Sequence, residues 1–84
     1  MSADLTAALA TLAAALRCDP AELDTRDPAA IDTQVIADLT ELERIERGTT
    51  DADVRGSARR RYRSLDAAWS WVRFEIAREL RRAA

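Results

Sequence analysis

The sequence predicts an all-α fold: three helices built on an antiparallel helical hairpin, with a short extra helical turn between the first and second. Three observations lead there. Apolar residues recur at spacings of three and four, and no alternating β-branched run marks a strand. The two glycines and two prolines read as punctuation. A connection of only Gly48-Thr49-Thr50-Asp51 joins the last two periodic stretches, which folds them back antiparallel.

The first helix is expected over residues 3–17. Ser2 is a candidate N-cap, and Asp4 sits in the first turn, where the helix dipole favours an acid. Leu5, Leu9, Leu12 and Leu16 make one leucine stripe, with mostly alanine and threonine elsewhere. Asp19-Pro20 and Asp27-Pro28 each place an acidic cap before a proline, the pattern of a helix start. The first opens the single turn over about 20–24, from which Leu23 is expected to tuck into the core. The second opens the second helix, about 28–47. Its apolar face holds Ile31, Val35, Leu39, Leu42 and Ile45, widened by Ile36, and Gly48 stands where a left-handed cap is wanted. The last helix is expected over about 51–82, with Thr50 and Asp53 as a variant capping box and Gly56-Ser57 as its weak point. At 1.5 Å per residue it is roughly 48 Å long against roughly 30 Å for its partner, so it overhangs or bends.

Composition sets bounds. At 84 residues the chain is one domain, 1–84, with little core to spare. It has one cysteine, Cys18, and no histidine, which excludes an internal disulfide and argues against zinc. We expect no cofactor, no metal and no catalytic residues: no phosphate loop, nucleophile elbow or metal-ligand spacing occurs. The Glu75/Glu79 pair reads as solvated or paired charge. The absence of a membrane-length apolar run and of a basic start at the N-terminus, with the lone cysteine, points to a cytoplasmic protein. Every basic residue is arginine. Residues 1–47 carry ten acids against four arginines, a net −6, and residues 48–84 nine arginines against five acids, a net +4. The halves attract each other, or the basic half seeks an outside anion.

The last helix carries the functional signal. At about 100° per residue, Ala58, Tyr62, Leu65, Trp69, Val72, Ile76 and Leu80 fall within roughly 80° of arc and form the expected core seam. Arg60, Arg63, Ala67, Trp71, Phe74, Arg78 and Arg81 cluster about 180° away. A solvated back face does not ordinarily hold Trp and Phe one turn apart, so this face is expected to be covered. The first helix, a second copy or a foreign partner can cover it. Arginine and tryptophan are typical interface anchors, and the acidic second helix (Asp38, Glu41, Glu43, Glu46) offers complementary charge.

Tyr62-Arg63-Ser64-Leu65-Asp66 is similar to the Y-x-x-x-D/E pattern of small helical-hairpin proteins exported by type VII secretion. The W-x-G of that family's turn is missing here and the motif sits mid-helix, so the resemblance is not adopted. The sequence therefore predicts a non-enzymatic interaction or assembly module, a homo-oligomer or partner of another helical protein, with no membrane role. The alternative is a small nucleic-acid-binding regulator using the arginine-rich last helix. Against that alternative stand the net charge of −2 and the pI of about 5.1.

Overall fold

A computed structural model describes all residues, Met1–Ala84. It is all-α: α1 (Ala3–Leu16), a 3-10 turn (Pro20–Glu22), α2 (Pro28–Gly48) and α3 (Ala52–Ala83). α3 is the central element, with α1 and α2 both packed against it. Both run antiparallel to α3, as two long-range bonds show. The Ser2 N–H donates to Glu79 Oε1 at 2.9 Å, and the Trp69 indole Nε1–H donates to Asp32 Oδ1 at 2.8 Å.

Length and register decide where the core sits. α1 has 14 residues, about 21 Å, and starts against Glu79, so it covers the second half of α3. α2 starts one turn before Asp32 and therefore meets α3 near Arg73, then runs down to the hairpin turn. The two layers overlap over Leu65, Ala68, Trp69 and Val72, which are all buried. Leu5, Leu9, Leu12 and Leu16 enter from α1, Ile31, Val35 and Leu42 from α2, and Leu23 from the connector. Buried Ala8 and Ala13 of α1 and Ala68 of α3 keep the cross-sections at the α1–α3 contact small. α3 is unbroken through Gly56-Ser57 and overhangs both partners, giving a molecule 50 Å long and 20 Å across.

The capping signals are realised with local changes. The Ser2 hydroxyl accepts the Leu5 N–H at 3.1 Å; Asp19 and Glu22 form a reciprocal capping box; Asp27 accepts the Ala30 N–H at 3.2 Å. α1 ends at Leu16, because Arg17 takes the left-handed conformation (φ 59°) that closes the helix. Gly48 does not: it is the last helical residue of α2, and the turn continues through an extended Thr49. With only three residues between helices, extended Thr49 leads straight to Asp51, and a left-handed cap is not needed. Asp51, not Thr50, caps α3, accepting the N–H groups of Asp53 (2.9 Å) and Val54 (3.2 Å).

Two apolar assignments change, and two more are only partly realised. Ile36 is 53% exposed and does not widen the α2 face, because neither neighbouring helix reaches that flank. Leu80 is 68% exposed: it lies two turns beyond the point where α2 begins, so its half of the seam has nothing to face. Tyr62 and Ile76 are half-buried at the margins. In their place the seam turns toward α1 and takes in Ala68 and Glu75.

Candidate interaction surface

The outward face of α3 leaves both of its large aromatics exposed. Trp71 is 39% and Phe74 56% exposed. α1 does not cover them, since it lies over the arc holding Ala68, Val72 and Glu75. The contrast with Trp69 is instructive. Two residues away on the helix, that indole is buried, hydrogen-bonded to Asp32 and capped by the Arg73 guanidinium 5.6 Å from its ring centroid. The Trp71 indole N–H has no acceptor in the chain, which is tolerable only while water reaches it.

The residues around the aromatics divide into two kinds. Arg60, Arg63, Ala67 and Arg81 are exposed, and the three arginine side chains form no ion pair. Arg78 is half-buried and engaged. Its Nη1 lies 3.2 and 3.3 Å from the Glu75 carboxylate oxygens and 3.6 Å from Asp4 Oδ2, and its guanidinium carbon is 5.9 Å from the Phe74 ring centroid. Arg78 therefore neutralises Glu75, which at 4% exposure is the one buried charged residue, while tying α1 to α3. Of the two expectations for Glu75, solvated or paired, the structure shows the paired one, and it places the pair's carboxylate in the interior. Glu79 is occupied too: the Ser2 N–H, helped by the N-terminal charge and Arg82, holds its carboxyl below the usual glutamate range.

The acidic helix is less available than its composition suggests. Glu41 pairs with Arg44, Glu43 with Arg47 at 4.0 Å, and Glu46 with Arg59 at 2.9 Å across the hairpin. Its negative charge is largely answered inside the chain.

Two clefts lie nearer the hairpin end of α3. One, about 380 Å³, opens between α2 and α3 near the hairpin tip, floored by Leu42, Ile45 and Ala58 and bordered by exposed Val54, Asp53 and Arg61. The other, about 240 Å³, lies at the junction of α1 and α3 and is lined by Ala14, Ala15, Arg17, Arg60, Arg61 and Ser64. Sequence periodicity missed both, and missed Asp32 as the partner of Trp69. A buried indole N–H always asks for an acceptor, and that was the available signal. Cys18 is half-buried against the core. Burial and the nearby Glu22, Asp19 and Asp38 carboxylates push its thiol up, away from the reactive thiolate.

No three His, Cys, Asp or Glu side chains converge as a metal-ligand set, and no helix is long and apolar enough to cross a membrane. Comparison with family models, curated proteins and solved structures returns no match.

Proposed function

We propose that the protein is a non-enzymatic cytoplasmic assembly module that self-associates through the outer face of α3. The observation that carries this reading is the exposure of Trp71 and Phe74, one turn apart, on a face neither α1 nor α2 reaches. Covering what remains exposed of the two rings would remove about 200 Å² from water, worth roughly 5 kcal/mol per copy at ~25 cal/mol per Å².

The spacing of the face supports a second copy as the cover. Two α3 helices laid antiparallel about the midpoint between Ser70 and Trp71 bring Phe74 of one over Ala67 of the other. The same register sets Arg63 against Arg78 and Arg60 against Arg81. Ala67 leaves room for the opposing phenyl ring, the favourable pairing of this register, while the facing arginines repel and need an acid between them. Asp4, its side chain 65% exposed beside Arg78, is placed to receive Arg63 of the other copy, which balances charge at that layer.

Light scattering across a concentration series tests the proposal. The wild-type chain is expected to associate, and Trp71→Ala with Phe74→Ala to weaken association at least about tenfold while helicity stays intact, since both rings lie outside the core. A wild-type chain that stays monomeric at high concentration, or a double variant that associates as before, overturns it.

A further inference from the structure

We propose that the cleft between the C-terminal end of α1 and α3 is a binding site for a phosphoryl oxyanion, held by Arg17, Arg60 and Arg61 with the Ser64 hydroxyl. These four side chains line one concavity of about 240 Å³, the remaining walls being Ala14 and Ala15, with no carboxylate among them. Six of the chain's thirteen arginines, Arg17, Arg60, Arg61, Arg63, Arg81 and Arg82, make no ion pair or side-chain hydrogen bond, and three of these six line this one cleft. Arg26, Arg44, Arg47, Arg59 and Arg78 each pair with an acid, Arg55 donates to the Thr49 carbonyl, and Arg73 lies over Trp69. Arg17, Arg60 and Arg61 have no side-chain partner, although acids outnumber arginines in the chain. The three arginines border one cleft, Arg60 with its Nη1 folded back over Gly56 and Arg61 also bordering the hairpin-tip cleft beside Asp53, and a bound multivalent anion would draw their guanidiniums together.

The alternative use of these arginines is to answer the carbonyls ending α1. That role is filled for two of the four last carbonyls: Ala13 accepts from Cys18 N–H at 3.0 Å and Ala14 from Arg17 N–H at 3.3 Å, and no arginine side chain bonds to the helix end. Arg17 reaches the cleft because its left-handed backbone turns the chain out of the helix at that point. Arg60 and Arg61 come from successive positions of α3, and Ser64 lies one turn beyond Arg60 on the same helix. Planar guanidinium forks and a hydroxyl suit the several oxygens of a phosphoryl group, and three positive charges match a multiply charged anion better than a single carboxylate. The ligand is either a free phosphate or polyphosphate, or a phosphate of a nucleic-acid backbone. The site lies apart from Trp71 and Phe74 but shares Arg60 with the proposed contact face, so Arg17 and Arg61, which lie outside that face, test it separately from self-association.

The test is titration of the full chain at low salt with inorganic pyrophosphate and, in parallel, with a short single-stranded oligonucleotide. Binding is followed by calorimetry and by NMR of the arginine Nε–H and Ser64 amide signals. Saturable binding is expected, with Arg17→Gln and Arg61→Gln each weakening it about tenfold and Arg82→Gln, at the far end of α3 beside Glu79, leaving it unchanged. Tighter binding of pyrophosphate assigns a free anion, and tighter binding of the oligonucleotide with a steep salt dependence assigns a nucleic-acid phosphate. A flat titration with both probes overturns the site. So does equal weakening by Arg82→Gln, which would mean the chain attracts anions through diffuse charge alone. All three substitutions are at exposed positions, and circular dichroism checks that the helices persist.

Discussion

Asp32 and Trp69 show how one polar contact sets a register. The indole is too large and too buried to leave its N–H unpaired, and Asp32, one residue past the core position Ile31, supplies the acceptor at 2.8 Å. Replacing Asp32 with Ala is expected to destabilise the fold by about 1–3 kcal/mol, the cost of stranding a buried donor. Trp69→Phe made in the Asp32→Ala background should then cost less than Trp69→Phe alone, because the donor is already orphaned; additive urea-denaturation energies would dissolve the link. Arg17 shows strain of another kind. It holds φ at 59°, where a side chain costs about 1 kcal/mol or more and glycine almost nothing. Arg17→Gly is expected to raise stability by about 1 kcal/mol in thermal melts while removing one cation from the α1–α3 cleft. A gain in stability with a loss of anion affinity would place that strain at a functional position.

At the scale of elements, helix identity was legible and helix coverage was not. Ser2, Asp19-Pro20 and Asp27-Pro28 announce their caps locally, so the starts could be read within a residue or so. Leu80 and Ile36 were misplaced because periodicity says which side of a helix a residue occupies, not whether a neighbour is long enough to reach it. Glu75 is paired, as one reading of its arginine-rich surroundings expected, but its burial was not legible, because only the α1–α3 register brings α1 and Asp4 over it. The outer face of α3 was legible as a face, while the two roles of its arginines were not. The contact between the start of α1 and the end of α3 is also pH-sensitive. The Glu79 carboxyl is held below its ordinary value, so the folded state favours its charged form. That stabilisation is fully present above the unfolded pKa, about 4.3, and is lost as pH falls through the lower folded value. Glu79→Gln is expected to flatten the acid limb of the stability profile below about pH 4, with the part due to Asp24 and Glu41, whose carboxyls arginines also hold low, remaining. An acid limb unchanged by the substitution would show that the Ser2–Glu79 contact carries no stability.

The whole molecule is a long helix with two shorter ones applied to it out of step, and its stability should vary along that axis. Between Leu65 and Val72 both layers overlap and α3 is buried on two sides. Toward the hairpin turn only α2 remains, and Val54 is exposed above the uncovered cleft it shares with Leu42 and Ile45. Toward the C-terminus only α1 remains, and beyond Glu79 nothing is packed on the helix at all. Local opening costs least where the least apolar surface must be exposed to permit it. Amide hydrogen exchange should therefore be slowest from Leu65 to Val72, faster from Val54 to Ala58, and fastest past Glu79. Self-association through Trp71 and Phe74 adds a second signature. Those rings sit at the C-terminal margin of the protected centre, so a second copy laid along the outer face would extend protection through Phe74 to Arg78 as concentration rises. It would leave the hairpin tip as it was, because the tip lies off the contact. Protection that rises evenly along α3 would instead reflect a change in global stability, and protection rising first at Val54 would move the contact to the tip cleft. A profile that never changes with concentration would leave α3 with no cover from its own kind.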